Sequence, residues 1–158
     1  MDDPQWYGAS VWTKSLDGSP VTPYGAITAA WWKRVVALVV DNLLLYVVAL
    51  LLSVRSGSSG AVTNFRFVAE LALTFCYFGY LNGVPGQTVG KRLLGIRCVD
   101  ADTGEAIGFT RGLVRQGVVA VLSVAFLFPA LLDGLWPLWD QKRQAWHDKA
   151  VRSVVIVA

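Results

Sequence analysis

Hydrophobic and polar positions along this chain gather into three long apolar runs separated by short polar segments. The first extends from about Trp31 to about Ser53, long enough to cross a bilayer as a helix. Its entry carries Trp31, Trp32, Lys33 and Arg34, the aromatic and basic residues that settle at a membrane boundary. The Ser/Gly-rich stretch over 53–60 predicts a flexible turn. A second run from about Phe67 to about Val84 stops at the breakers Asn82-Gly83-Val84-Pro85-Gly86. The third, from about Gly117 to about Trp139, contains Pro129, Asp133, Gly134 and Pro137. A straight helix is a poor fit there, and a Pro-bent segment, re-entrant or hairpin, is expected.

Between the second and third runs the pattern changes period. Ile96, Cys98 or Val99, and Ile107 alternate with polar residues around Asp100-Ala-Asp-Thr-Gly104, which predicts a β-hairpin turning at that sequence. The β-branched tail Arg152-Ser-Val-Val-Ile-Val-Ala158 is too short to span and is expected to add a strand to it. Residues 1–28 mix Pro and Gly with Trp6, Tyr7, Trp12 and Tyr24, an interfacial or partly disordered arm ahead of a membrane domain over 29–158. The fold class expected is therefore an α-helical multi-pass membrane protein. It has two full transmembrane helices, a bent third apolar segment and a small cytoplasmic-face β-element.

Charge fixes an orientation. Lys91, Arg92, Arg97, Arg111 and Arg115 crowd the segment after the second run, and Lys142, Arg143, Lys149 and Arg152 crowd the tail, whereas the first turn holds only Arg55 and Arg66. Basic loops stay cytoplasmic, so both termini are expected inside, and a bent third segment keeps the tail there while a single crossing would not. Composition agrees: 54% of the residues are hydrophobic and 16% charged, and the net charge of +3 lies beside apolar runs rather than on a strip suited to nucleic acid. Cys76 and Cys98 fall in different surroundings and form no CxxC, so neither a disulfide nor zinc is expected. The apolar core of the first run starts too far along for a signal peptide, and that helix is expected to be retained.

The chemistry of interest lies inside the first run. Arg34 and Asp41 stand seven residues apart, almost two helical turns, and so share a face. At about 10 Å separation they cannot pair directly, and a carboxylate in hydrocarbon costs at least a few kcal/mol unless compensated. Asp41 is expected to meet a basic residue from another segment, and Arg34 to meet Asp148. Two uses are open: a static polar clamp between helices, or a carboxylate that responds to a monovalent cation or proton.

Other motifs are weaker. Gly86 to Arg92 has three residues between its glycines and Arg92 after Lys91, so it is no phosphate loop. Lys91, Arg92 and Arg97 are expected to meet anionic headgroups at about 1 kcal/mol each. His147 is the single histidine, adjacent to Asp148 but without a nucleophile or further ligands, so neither catalysis nor a metal site is expected. Glu70 lies one turn from Arg66, and Asp133 is expected at the mouth of the bent segment.

Arg34 and Asp41, the block Gly86-Gln-Thr-Val-Gly-Lys-Arg-Leu-Leu-Gly-Ile-Arg97, Arg111-Gly-Leu-Val-Arg115 and Trp139-Asp-Gln-Lys-Arg-Gln-Ala-Trp-His-Asp-Lys-Ala150 together resemble the RDD family over about residues 28–158. The family is named for one arginine and two aspartates; the resemblance maps the first two onto Arg34 and Asp41, and the last onto Asp148, with Asp140 as a second candidate. It implies a bacterial inner-membrane protein without established catalytic chemistry, for which transport has been proposed and cation/proton exchange attributed to some members. The short third apolar stretch and the Trp-rich arm depart from the commoner pattern.

The expected polar cluster is thus Arg34, Asp41 and Asp148, with Asp140, Arg115 and His147 as secondary candidates. The expected function is non-enzymatic: an accessory or assembly subunit of a larger membrane complex, because so little helix cannot line an alternating-access path alone. The alternative is a cation/proton exchanger or small-solute transporter using Asp41. The expected partners are the lipid bilayer and other membrane subunits or further copies of the chain; no cofactor is expected.

Overall fold

The computed structural model describes residues 11–54, 60–125 and 127–158. The structure is mostly helical with two small sheets. Trp6, Tyr7, Arg55 and the ion pair expected between Arg66 and Glu70 lie outside what is described.

Helix α1 (Trp31–Val54) forms over the first apolar run, and within it Trp31–Leu51 is long and apolar enough to cross a membrane, the one such span among the described residues. Only 11% of that span is buried within the chain, so Leu38, Val39, Leu43, Tyr46 and Leu51 face outward. Helix α2 (Gly60–Gly83) is equally long, at 24 residues. It ends where the breakers predict and packs along α4 (Phe109–Ala125). Gly112 of α4 lies so close to Gly79 and Gly83, four residues apart on α2, that a Cβ on it would overlap the α2 backbone, and a Cβ on Gly83 would overlap the Gly108 carbonyl just ahead of α4. Small residues at this spacing let two helix backbones approach, a packing mode suited to lipid surroundings.

The third apolar run is two helices. After α4 comes α5 (Leu127–Leu135), then a 3-10 turn over Trp136–Leu138. Pro129 sits in the first turn of α5, where its missing N–H costs nothing, and Pro137 opens the 3-10 turn. The chain doubles back, because Asp133 near the end of α5 and Arg115 near the start of α4 both contact His147.

A short helix α3 (Val89–Leu93) crosses α1 just after α2 ends. Strands β3 (Ile96–Asp100) and β4 (Ser153–Val157) pair antiparallel, Ile96 opposite Val157 and Asp100 opposite Ser153. The tail is a strand, as its β-branched residues predict, but the expected local hairpin is corrected. Residues 100–104 do turn, with the Asp100 side chain accepting from the Asp102 and Thr103 N–H groups, yet the partner of β3 is the distant β4. The run after the turn leads straight into α4, leaving Ile107 a buried core contact instead of a strand residue.

The expected irregular arm also has structure in its described part. Strands β1 (Thr13–Lys14) and β2 (Pro20–Val21) pair across a turn at Gly18, whose φ of 77° suits glycine, with Asp17 accepting from Ser19. Thr28 then bridges to Ile156 on the free edge of β4. The apolar core lies around this sheet: Ala29, Ala37, Ile96, Cys98, Ile107, Val151 and Val155 pack together, with Val99, Val154 and Ile156 on the other side. Both cysteines are free, Cys98 in this core and Cys76 exposed on α2.

Candidate functional site: two buried carboxylates under the apolar helices

Asp148 is 1% exposed and receives donors from four directions. Arg34 Nη1 of α1 donates to Oδ2 at 3.0 Å, and Arg115 of α4 donates to Oδ1 through Nε at 3.1 Å and Nη2 at 2.7 Å. The Ala145 N–H donates to Oδ2 at 3.1 Å, Asp148 reaching back from the third position of α6 (Trp146–Ala150) to its N-cap. Ser153 Oγ lies 3.4 Å from Oδ1. Arg34 donates further to the Val155 carbonyl of β4 at 3.3 Å. One carboxylate thus ties α1, α4, α6 and the sheet together. Burial pushes the Asp148 carboxyl upward, but the guanidiniums of Arg115 and Arg34 more than offset it and hold the group well below the usual carboxylate range.

His147 extends the network. Its Nε2 meets Arg115 Nη2 at 2.8 Å and its Nδ1 meets Asp133 Oδ2, while its backbone N–H donates to Asp133 Oδ1 at 3.0 Å. A guanidinium can only donate, so Nε2 accepts and the ring proton sits on Nδ1, directed at Asp133. The ring is a bridge between the two legs of the α4–α5 hairpin. Trp31 Nε1 of α1 donates to the Gly134 carbonyl at 2.8 Å, fixing the end of α5 to the entry of α1.

Asp41, also 1% exposed, belongs to a second cluster. Tyr77 Oη of α2 donates to Oδ1 at 2.9 Å, the Gly90 N–H to Oδ1 at 2.7 Å and Thr88 Oγ1 to Oδ2 at 2.5 Å. Among the described residues Asp41 makes no ion pair, which corrects the expected basic partner: neutral donors satisfy it instead. The Gly86–Arg92 block explains how. Thr88 is the N-cap of α3, accepting from the Lys91 N–H and donating to Asp41, while Gly90 sits so close to the Ala37 carbonyl of α1 that a Cβ would overlap it. The missing side chain lets α3 approach α1 until its backbone N–H reaches the carboxylate.

Arg34, Asp148, Arg115 and His147 therefore come together, and Asp41 stands apart. Asp140 joins neither cluster; it organises a surface loop by accepting from the Lys142 and Gln144 N–H groups and pairing with Lys149. The basic trio is corrected as well. Arg92 is exposed and Arg97 half-buried, but Lys91 is only 9% exposed and donates from Nζ to Asn82 Oδ1, because its place in α3 turns it inward between the helices. Burial, then the nearby Arg115, push the Lys91 ammonium down to about 8. Sequence reasoning missed Tyr77, Thr88, Gly90 and Asn82 as partners. Thr88, a residue type favoured as an N-cap, was a readable signal, whereas Tyr77 and Asn82 carry none without the helix arrangement. No group of three or more His, Cys, Asp or Glu suited to a metal ion occurs among the described residues.

Between α1 and the α2–α4 pair lies a cleft of about 490 Å³. Its walls include Val35, Leu38, Phe78, Val119 and Leu122, and its polar lining includes Arg34, Lys91, Asn82 and Arg115 together with the carboxylates Asp41 and Asp133.

Comparison with known proteins gives a consistent family assignment. The proline-rich antigen of Mycobacterium leprae (strain TN) is 26% identical over 152 residues, covering 80% of this chain and 59% of that protein. A proline-rich antigen homolog of Mycobacterium tuberculosis (strain ATCC 25618 / H37Rv) is 36% identical over 93 residues, covering 56% of this chain and 35% of that protein. The chain thus spans only part of the length of these relatives. No solved structure matches it. The profile of the RDD family matches residues 28–152, which takes in both buried carboxylates and all the apolar helices, and the chain belongs to the RDD family, a membrane domain.

Proposed function

We propose that this chain is a non-enzymatic, multi-pass component of the bacterial cytoplasmic membrane that serves as an accessory or assembly subunit of a larger membrane complex. One observation carries the reading. Helix α1 has the length and apolarity of a span, yet 11% of that span is buried, since α1 rests on α3 at one end while α2 packs along α4. A helix left so bare within its own chain is suited to neighbours supplied by other subunits or further copies.

In this proposal α1 crosses outward and α2 returns, both at 24 residues or about 36 Å. The α4–α5 hairpin is re-entrant from the cytoplasmic side, because nine residues in α5 extend only about 14 Å. The β3–β4 sheet and both termini then lie in the cytoplasm with the basic residues. The exchanger alternative has less support: a carboxylate that binds a passing cation needs free lone pairs, and Tyr77, Thr88 and Gly90 occupy three of the about four acceptor sites of Asp41.

Isolation of the native protein in mild detergent, with mass measurement of the intact species and ion flux assayed after reconstitution, tests this. A stable assembly with another membrane protein and no flux supports the proposal. Ion-dependent flux from the pure chain, abolished by Asp41→Asn at unchanged folded yield, overturns it.

A further inference from the structure

Lys91 is a buried cation without a counter-ion among the described residues. Its ammonium can donate three hydrogen bonds, and it has Asn82 Oδ1 as acceptor. The acidic groups around it, with Asp41 and Asp133 in the lining of the same cleft, are already engaged by other donors: Asp148 between Arg34 and Arg115, Asp133 with His147, Asp41 with its three neutral donors. Arg34 also lines the cleft, and its Nε is a buried donor with no hydrogen-bond partner. Above these groups the walls turn apolar, and the α1 side is open because α1 does not pack along α4.

We propose that this cleft binds one anionic amphiphile, its acidic group held by Lys91 and Arg34 and its hydrocarbon chain lying against Val35, Leu38, Val119 and Leu122. The unpaired Lys91 selects the head: an acidic oxygen supplies the counter-charge that its ammonium lacks, and charge-assisted bonds strengthen in low-dielectric surroundings. The walls select the tail, because a small inorganic anion at the polar end leaves the apolar part of a 490 Å³ cleft uncovered, whereas a fatty chain fills it. Entry is sideways from the bilayer, between α1 and α4. This site lies inside the protein, unlike the surface contact open to Arg92, and stands independently of the accessory role.

The test uses the full chain purified in neutral detergent and exchanged into mixed micelles of phosphatidylglycerol and phosphatidylcholine, with retained lipid counted by native mass spectrometry. The wild type is expected to retain phosphatidylglycerol over phosphatidylcholine by about ten-fold, equivalent to about 1.4 kcal/mol. Lys91→Gln removes that preference and Arg92→Gln does not. Leu122→Trp, which fills the apolar half while leaving Lys91 in place, lowers phosphatidylglycerol retention and so checks the site where Lys91→Gln fails to fold. Equal retention of both lipids by the wild type overturns the proposal, as does wild-type retention in Leu122→Trp. Displacement of phosphatidylglycerol by millimolar inorganic phosphate overturns the amphiphile in favour of a free anion.

Discussion

Arg34 and Asp148, 114 residues apart in sequence, meet at 3.0 Å with the carboxylate almost wholly buried. The pair joins the first apolar helix to a segment that follows every other apolar helix, and Arg115 shares the same carboxylate at 2.7 Å. Removing the shared anion leaves two guanidiniums facing each other without compensation. Asp148→Asn is therefore expected to cost about 3–5 kcal/mol, the range for breaking a buried ion pair on one side. Asp140→Asn, in a surface loop, is expected to cost about 1 kcal/mol or less. Thermal unfolding in detergent compares the two, and equal effects would remove Asp148 from its central place.

The same carboxylate sets a pH dependence at the acid end. Its folded-state affinity for protons is depressed, so its stabilisation is fully present above the unfolded value near 3.8 and is lost as pH falls toward the lower folded value. The stability gap between wild type and Asp148→Asn is expected to be constant from pH 5 to 7 and to narrow below about pH 4. A gap that narrows already near neutrality contradicts this.

Lys91 acts at the alkaline end with the opposite benefit. Its folded value of about 8 lies below the ordinary 10.5, so between those values the unfolded chain binds the extra proton and stability rises with pH. The rise is on the order of 3 kcal/mol and is expected to vanish in Lys91→Met. Unfolding followed from pH 7.5 to 10.5 in zwitterionic detergent without anionic lipid measures it.

Gly90→Ala is expected to push α3 off α1 and break the bond from the Gly90 N–H to Asp41, costing about 2 kcal/mol or more. Gly117→Ala makes the same chemical change on α4 with open space around it and is expected to be neutral or stabilising. Yield of folded protein from membranes distinguishes them.

Tyr77→Phe removes one donor from the Asp41 carboxylate and is expected to cost about 1–3 kcal/mol, with Thr88→Val similar. Because both donors serve one acceptor, the double variant is expected to depart from additivity by about 0.5 kcal/mol or more. Strict additivity in a double-mutant cycle would show that the two donors act separately.

What the sequence made legible followed from local pattern. Apolar length located α1 and the end of α2, β-branching located β4, and Pro129 with Pro137 announced the break in the third run. That Arg34 needs a partner was readable because a charge in an apolar helix demands one, and the family resemblance pointed to Asp148. The partners of Asp41 were not readable, since a carboxylate satisfied by a hydroxyl, a phenol and a peptide N–H leaves no charged residue to point at it. Lys91 misled for a related reason: in a basic string beside Arg92 it looks solvated, and only the crossing of α3 over α1 turns it inward. That the tail adds a strand to the β-element was readable, but that it pairs directly with β3 across some fifty residues, in place of a local hairpin, was not, because period-two alternation does not encode the partner.

The placement of Asp148 behind every apolar helix has a consequence for biogenesis. As the ribosome extends the chain, α1 is complete while the anion for Arg34 is still unsynthesised, so the early intermediate holds a guanidinium without its Asp148 partner. The apolar helices are made first and latched last, by the segment that carries Asp148 and β4.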